Sequence, residues 1–282
     1  MLPVLFKVGP LTVHSWGLLL MAGFLLAAWR AARNAERYKI TAEHIWDVAL
    51  WGLLGGILGA RFAFVLQNLQ DYRANPLAGF AIWTGGMTFY GGLVGGVLAG
   101  VLVCRMRKIS ILDTADLAAL AFPIGYAVGR IGCFLNGCCY GGACPPPLGM
   151  RFHTADGLTE PSHPAQLYSA GAGLLMYLLL SRLEPRRRFP GQLMAAFLFL
   201  YGVYRFFVEF VREGVTAETT ALFGLTTGQI ASMVLAAVAV MLFILGERRV
   251  RRERERPHGT GSGPAARTQT SAQKKAAAPA RR

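Results

Sequence analysis

Seven apolar stretches, each about as long as a helix that crosses a bilayer, constrain this chain more than any other feature of its sequence. The hydrocarbon core of a membrane is about 30 Å thick, and a helix of about 20 apolar residues spans it. The stretches cover approximately residues 12–29, 48–66, 85–104, 111–131, 165–181, 193–211 and 227–246. The sequence therefore predicts an all-α integral membrane protein, a seven-transmembrane helix bundle, and disfavours a soluble globular protein.

Basic residues cluster in the segments that follow the first, third, fifth and seventh stretches. The clusters are Arg30, Arg33, Arg37 and Lys39; Arg105, Arg107 and Lys108; Arg182, Arg186, Arg187 and Arg188; and the run ERRVRRERER. Lys and Arg in short loops resist translocation and stay in the cytoplasm. The four clusters share one side only if the number of spans is odd. We therefore predict an outer N-terminus and a cytoplasmic C-terminus.

The composition divides the chain into two regions. Residues 1–247 are predicted to form a membrane-embedded domain with an outer loop at residues 132–162. Residues 248–282 are basic and rich in Ala, Pro, Gly and Ser without hydrophobic periodicity, which predicts a disordered cytoplasmic tail. Anionic membrane lipid attracts such a tail by about 1 kcal/mol per basic residue. A solubilising tail without a partner is an equal alternative.

A few charged side chains fall inside the predicted spans, where each marks a functional site by default. They are Arg61, Arg130, Arg205 and Glu209. Arg205 and Glu209 are spaced for an ion pair within one helix, which is the structural alternative. Three arginines and one carboxylate nevertheless leave net positive charge, and arginine binds phosphate in a bidentate manner. The set predicts contact with a lipid phosphate. Asp113 and Asp116, by contrast, are expected to lie where cytoplasmic water reaches them.

The predicted outer loop leads into the segment HPAQLYSA at the start of the fifth stretch. A loop of about 30 residues without periodicity is uncommon and often functional. His163 precedes a proline, which favours an extended backbone. The side chain of His163 is interpreted as a cap at the start of the helix, with a general base or a head-group contact as the functional alternatives.

The outer loop also contains most of the cysteines of the chain. They are Cys133, Cys138, Cys139 and Cys144, whereas Cys104 lies at the end of the third stretch and is expected to pack there. The C-x4-C-C-x4-C spacing is not a usual metal-ligand pattern, and no metal site is predicted. A nucleophilic cysteine lacks a recognisable partner in the sequence. Disulfides fit best, because the charge pattern puts the loop on the oxidising side.

Five motifs occur in a fixed order along the chain. They are GGMTFYGGLVGG, the frame GRIG-F-NG---G at residues 129–141, HPAQLY, YGVYRFFVEFVRE and LTTGQIASM. With these motifs, the sequence resembles the prolipoprotein diacylglyceryl transferase family over residues 10–246. The resemblance implies a membrane transferase that needs no cofactor and lies in the bacterial inner (plasma) membrane.

The resemblance also implies a reaction. The diacylglyceryl group of phosphatidylglycerol passes to the lipobox cysteine thiol of a preprolipoprotein, a thioether forms, and glycerol phosphate is released. The partners are therefore phosphatidylglycerol and preprolipoprotein signal peptides, and nucleic acid is not expected. By position in the motifs, the implied catalytic residues are Arg130, Arg205 and Tyr90. The implied substrate-binding residues are Arg61, Asn136, Gly141, His163, Gln166, Tyr168, Tyr201 and Glu209.

The sequence departs from the family pattern at four positions. Tyr90 stands where many members have histidine, Trp16 where they have tyrosine, Cys133 where asparagine is common, and Cys138 where glutamate is common. Tyr90 is one candidate for the general base; alternatively, the base lies elsewhere, or the substrate thiol ionises without one. Two other functions stay open: a non-catalytic relative that binds lipid or lipoprotein precursors, and a small-molecule transporter, against which the lack of an inverted repeat argues.

Overall fold

A computed structural model describes residues 2, 4–8, 11–73, 76–154, 157–212, 220–222 and 224–255. Its α-helices are α1 Ser15–Asn34, α2 Ala42–Gln67, α3 Leu69–Tyr72, α4 Phe89–Met106, α5 Ile111–Asn136, α6 Ala165–Leu183, α7 Gln192–Val208 and α8 Thr227–Glu255. Three antiparallel hairpins accompany them: β1 Val4–Val8 with β2 Leu11–His14, β3 His153–Thr154 with β4 Gly157–Leu158, and β5 Thr220–Leu222 with β6 Leu225–Thr226. The predicted helical class is confirmed.

Six helical segments in the described part of the chain are long and apolar enough to cross a membrane. They are Ser15–Tyr38, Ala42–Gln67, Phe89–Met106, Ile111–Asn136, Gln192–Val211 and Thr227–Arg252. Helix α6 covers the fifth predicted stretch, but it is not one of the six. The protein is therefore a multi-pass helical membrane protein, whereas the count of seven spans and the orientation of the termini stay predictions.

Helix α8 continues past the predicted start of the tail. It ends at Glu255, where the carboxylate accepts from Arg251 Nε at 2.7 Å, one turn earlier. Such pairs stabilise exposed helices by a few tenths of a kcal/mol. The domain boundary predicted at residue 248 therefore does not coincide with the end of the helix. Residues 256–282 of the predicted tail lie outside the described residues.

Close approach between backbones explains the glycine-rich stretches. Helices α2 and α4 pack along Gly55, Gly59, Gly91 and Gly95, where an added Cβ would collide with a backbone carbonyl of the opposite helix. Helices α1 and α5 meet in the same way, because a Cβ on Gly23 would lie 2.6 Å from the carbonyl oxygen of Gly125. Lipid provides no hydrophobic drive between helices, so packing of small residues holds them together.

Helix α5 occupies the centre of the bundle and contacts α1, α4, α6 and α7. Its N-terminus lies at the end of the bundle that also contains the basic clusters after α1, α4, α6 and α8, and we call this the basic end. Its C-terminus lies at the opposite end with the start of α6 and the end of α7, and we call this the signature end. The motifs GRIG-F-NG---G, HPAQLY and YGVYRFFVEFVRE meet at the signature end.

Asp116 joins α5 to α7 at the basic end. Its carboxylate accepts the backbone N–H groups of Gly191 and Met194, each at 2.8 Å, and so caps the N-terminus of α7. The guanidinium of Arg187 pairs with the same carboxylate at 2.7 Å and also with Asp113. Asp116 is fully buried, so the expectation that water reaches it is wrong. The capped helix end and the arginine together compensate the buried charge.

Candidate active site

Arg130 lies one turn before the end of α5, beside a cavity of about 290 Å³ between α1 and α5. The residues lining it are Trp16, Leu20, Gly23, Phe24, Ala27, Phe122, Gly125, Tyr126, Gly129, Arg130 and Cys133. Among these described residues, Arg130 alone carries a charge. The Gly23–Gly125 contact brings the two helices together, and the larger side chains on either side keep the space open. The cavity suits a hydrocarbon chain with an anionic group at one end.

The guanidinium of Arg130 lies over the ring of Tyr126, 4.9 Å from its centroid. An arginine over a tyrosine face gains a cation–π interaction but keeps its full positive charge. Within the described part of the chain, no carboxylate forms an ion pair with Arg130. This arginine is therefore placed to attract an anion.

Three tyrosines cluster near Arg130, and two of them, Tyr126 and Tyr204, were not predicted from the sequence. The hydroxyls of Tyr126 and Tyr204 lie 3.4 Å apart, and the Tyr204 hydroxyl donates to Ser169 Oγ at 2.5 Å. The predicted residue Tyr201 packs its ring edge-on against Tyr126, with centroids 6.3 Å apart. Two features of the sequence could have predicted these tyrosines. Tyr126 precedes Arg130 by one helical turn, and Tyr204 is next to Arg205.

Arg205 forms an ion pair with Glu209 at the end of α7. Glu209 is almost fully buried, and one of its oxygens also accepts from Thr226 Oγ1 at 3.3 Å. The structural alternative for these two residues, an ion pair one turn apart, is therefore formed. Arg205 keeps about a fifth of its side chain exposed and has further N–H donors.

The glycines of the signature frame shape the loop that follows α5. Gly137 adopts a left-handed conformation (φ 73°) and ends the helix in a Schellman motif, with Gly137 N–H bonded to Phe134 and Cys138 N–H to Cys133. Gly141 lies against the end of α7, where an added Cβ would collide with the carbonyl of Val211. The loop thus docks on α7 through Gly141.

The HPAQLY segment holds the other side of this loop. The carbonyl of His163 accepts from Gly141 N–H at 2.8 Å, and Gln166 Nε2 donates to the Cys138 carbonyl at 2.7 Å. The His163 side chain does not cap α6; its Nδ1 lies 3.3 Å from the Tyr168 hydroxyl. Gln166 is fully buried, and its Oε1 has no donor among the residues described.

Comparison with known proteins identifies the family of this chain. The family model for prolipoprotein diacylglyceryl transferase matches residues 3–245. The chain belongs to this family. It is 38% identical over 252 residues to a phosphatidylglycerol–prolipoprotein diacylglyceryl transferase of Geobacter sulfurreducens, covering 88% of this chain and 96% of that protein.

Two further relatives have the same name. One, from Aeromonas salmonicida, is 38% identical over 246 residues, or 86% of this chain and 89% of its own length. The other, from Bordetella bronchiseptica, is 36% identical over 249 residues, or 86% of this chain and 94% of its own length. The likeness therefore extends over nearly the whole of each relative and is not confined to the motifs.

Arg61, which the family resemblance implies as a substrate-binding residue, is not among the residues that line the Arg130 cavity. It is buried and donates to the backbone carbonyls of Ala78 at 2.9 Å, Gly79 at 2.7 Å and Gly86 at 3.2 Å, and also to Gly85. These bonds fold the segment that precedes α4. The geometry favours a loop-positioning role for Arg61, and its implied contact with substrate stays a prediction.

Tyr90, at the position where the resemblance leads us to expect histidine, lies in the first turn of α4. Its side chain is 71% exposed and packs edge-on against Phe89, with ring centroids 5.6 Å apart. The described residues that line the Arg130 cavity do not include Tyr90. Trp16, at the other departure in the N-terminal half, does line that cavity. The role of Tyr90 as a base stays a prediction.

The two remaining departures from the family pattern, Cys133 and Cys138, come together with Cys139. Their sulfur atoms all lie within 4.8 Å of one another, and all five cysteines of the chain are free thiols. The disulfides that the sequence favoured are therefore not formed in the structure. Hydrogen bonds from the thiols of Cys133 and Cys139 lower the pKa of Cys138. Asn136, beside the cluster, is the last residue of α5.

Proposed function

We propose that this chain transfers the diacylglyceryl group of phosphatidylglycerol to the lipobox cysteine thiol of a preprolipoprotein. The observation that carries the proposal is Arg130, a cation without a carboxylate partner among the described residues, at an apolar cavity between two apolar helices. Phosphatidylglycerol has hydrocarbon chains and one phosphate diester, which match the two parts of this site. Family membership supports the same reaction.

In the proposed reaction, the peptide thiolate attacks the glycerol carbon that bears the phosphate ester. A carbon–sulfur bond forms and the carbon–oxygen bond breaks, and its electron pair leaves with the oxygen of glycerol phosphate. Arg130 compensates the charge that develops on this leaving group, the kind of electrostatic stabilisation that contributes most to many enzymes. The aromatic walls hold the acyl chains and exclude water from the phosphate.

Arg205 supplies the second contact to the head group. Its ion pair with Glu209 fixes the guanidinium at the end of α7, and the N–H groups not used in that pair are available to a phosphate or glycerol oxygen. Glu209 accordingly acts as the residue that positions Arg205. Tyr201 and Tyr204 both contact Tyr126, whose ring lies under Arg130.

The loop residues hold the incoming peptide at the signature end. Gln166 presents a buried Oε1 that has no donor within the described residues, and a substrate N–H or O–H satisfies it. His163 and Tyr168, partners through their hydrogen bond, complete the polar rim. Gly141 fixes the loop backbone against the end of α7, and Asn136, the last residue of α5, offers its side-chain amide to the substrate at the start of the loop.

The proposed topology places this site on the outer face of the bacterial inner membrane. Seven spans, an outer N-terminus and a cytoplasmic C-terminus put the basic clusters in the cytoplasm, as the charge rule requires. The signature end then faces the side on which an exported signal peptide emerges. Attraction between the basic tail and anionic lipid of the inner leaflet belongs to the same proposal.

The test is transfer in vesicles that contain the purified protein and a peptide with a lipobox cysteine. With phosphatidylglycerol as donor, mass spectrometry should detect a diacylglyceryl thioether on the peptide together with free glycerol phosphate. A peptide with serine in place of the cysteine, and vesicles of zwitterionic phospholipid alone, are the matched controls. Absence of the thioether from properly inserted protein would reject the proposal and favour a relative that only binds lipid.

A further inference from the structure

Cys133, Cys138 and Cys139 converge on one point at the signature end. The sulfur atoms of Cys138 and Cys139 are 3.7 Å apart, and all three sulfurs lie within 4.8 Å of one another. Cys133 is buried, whereas Cys139 is exposed, so the cluster joins the bundle interior to the surface. Cys144, in the same loop, is not part of it.

Local backbone geometry explains why a C-x4-C-C spacing brings three sulfurs together. A Schellman motif places the residue just after the left-handed glycine against the residue five positions earlier, here Cys138 against Cys133. Cys139 then adopts a left-handed conformation (φ 65°), which is uncommon for a residue other than glycine. Its sulfur consequently points back to Cys138. The sequence spacing alone did not predict this convergence.

The distances fit a single metal ion better than a disulfide. Zinc–sulfur bonds of about 2.3 Å in a tetrahedron put neighbouring sulfurs about 3.8 Å apart, close to the separation of Cys138 and Cys139. Adjacent Cα atoms are about 3.8 Å apart, below the usual range of about 4.4–6.8 Å across a disulfide, so Cys138 and Cys139 are poorly placed to bridge. A disulfide between Cys133 and either of the other two cysteines would leave the third thiol unpaired.

The cluster lies beside the proposed reaction centre. Cys133 follows Arg130 by three residues on the same helix, and both line the cavity between α1 and α5. A zinc ion with three protein ligands keeps a fourth position for a water or a substrate atom. A thiol that coordinates zinc is deprotonated outright. The proposed reaction needs a thiolate, and the exposed Tyr90 lies outside the described cavity lining.

We propose that Cys133, Cys138 and Cys139 bind one zinc ion, and that its fourth position takes the sulfur of the lipobox cysteine. This inference rests on the proposed function. On coordination the substrate thiol releases its proton to water, and the zinc-bound thiolate then attacks the glycerol carbon. The carbon–oxygen bond breaks, and the electron pair leaves on glycerol phosphate beside Arg130. No oxidant or reductant takes part.

The experiment combines metal content with transfer. Wild-type protein, purified under reducing conditions and supplied with Zn²⁺, should hold one zinc per chain by elemental analysis, and Cys133→Ser, Cys138→Ser and Cys139→Ser should each lose it. Cys144→Ser is the matched control, because its thiol lies in the same loop and donates to the Pro145 carbonyl. Chelation tests the wild-type chain without any substitution. Only about 3% of a thiol with a pKa near 8.5 is ionised at pH 7, so removing zinc should slow transfer by up to about 30-fold.

Cobalt substitution tests the fourth ligand directly. Protein loaded with Co²⁺ should show thiolate charge-transfer absorption that increases when the lipobox peptide is added and does not change with the serine peptide. Zinc-free protein that transfers at the full rate, zinc retained by all three serine variants, or a Cys133–Cys138 disulfide in place of bound metal would each overturn the inference. If phosphatidylglycerol yields no thioether with any preparation, the proposed function fails instead, and the zinc content and cobalt spectrum still decide the binding site.

Discussion

The two ends of the bundle differ in how their embedded arginines are partnered. At the basic end, arginines meet carboxylates: Arg187 pairs with Asp113 and Asp116, and Arg30 with Glu184 at 3.6 Å. At the signature end, Arg205 also pairs with a carboxylate, Glu209, but Arg130 lies over a tyrosine ring, with no carboxylate partner among the residues described. An embedded arginine is therefore not by itself a sign of function. The paired arginines of the basic end hold helices together, whereas Arg130, over a tyrosine ring and without a carboxylate partner among the described residues, is placed for a ligand.

Glu184 has several partners at the basic end. Its carboxylate accepts from Asn34 Nδ2 at 2.8 Å and Tyr38 Oη at 3.4 Å, in addition to its contact with Arg30. These bonds tie the end of α6 to the end of α1. Hydrogen bonds and ion pairs of this kind contribute to a unique helix arrangement. Substitutions at the basic end should therefore affect stability, and substitutions at the signature end should affect transfer.

The largest effect is expected from Asp116→Ala. The change leaves the N–H groups of Gly191 and Met194 without their buried acceptor and Arg187 without one of its two partners. Breaking a buried pair in this way costs roughly 3–5 kcal/mol. The free energy of unfolding in mixed detergent micelles should fall by that amount, while the folded fraction still transfers lipid. A stable variant that has lost transfer would instead place function at the basic end.

Arg130→Ala should have the next largest effect, and on transfer alone. Removing one preorganised donor to a developing anion typically lowers the rate by about 10²–10³-fold. The cation–π contact with Tyr126 contributes only about 1 kcal/mol, so the free energy of unfolding should change little. Thioether formation in vesicles is the measurement, and Arg188→Ala, at the opposite end, is the control. Transfer at the wild-type rate by Arg130→Ala would contradict the assignment.

Gly141→Ala should disturb the signature loop. The new Cβ would lie 2.9 Å from the His163 Cβ and closer still to the Val211 carbonyl, so the loop has to move off α7. Overpacking of this kind costs about 1–3 kcal/mol. Both the melting temperature and the transfer rate should fall. Gly171→Ala in α6 is the matched control, because its Cβ would meet nothing within 4 Å; equal losses in the two variants would argue against a docking role.

The helices were predictable from the sequence because the bilayer sets their length and composition. The residues at which each helix begins and ends were less predictable. The third stretch was predicted from residue 85, yet α4 begins at Phe89, because Gly85 and Gly86 adopt positive φ and their carbonyls bind Arg61. In the sequence, Arg61 is a charge within a predicted span. Its partners lie on the following loop, and only the three-dimensional structure shows these contacts.

The candidate site was predictable in part. The position of Arg130 within a predicted span identified it as a candidate site residue. The spacing of Arg205 and Glu209 indicated their ion pair as an alternative to a functional role. The capping of α7 by Asp116 and the bond between Tyr204 and Ser169 join helices far apart in sequence, so no local pattern contains them. Contacts of this kind depend on how helices pack and become visible only in three dimensions.

Arg188→Ala should have the smallest effect and gives the sharpest internal test. Arg188 neighbours Arg187 in sequence, but it is 68% exposed and pairs at 3.1 Å with Glu247, which is 49% exposed. Exposed ion pairs contribute about 0–1 kcal/mol, because water screens them and ordering two long side chains costs entropy. Arg187→Ala, which leaves the buried Asp116 with one partner fewer, should cost several times more in the same unfolding assay. Equal losses of unfolding free energy from the two neighbouring arginines would show that burial does not separate structural charges from surface charges at the basic end. The difference between these arginines and Arg130 would then rest on the transfer rate of the Arg130 variant alone.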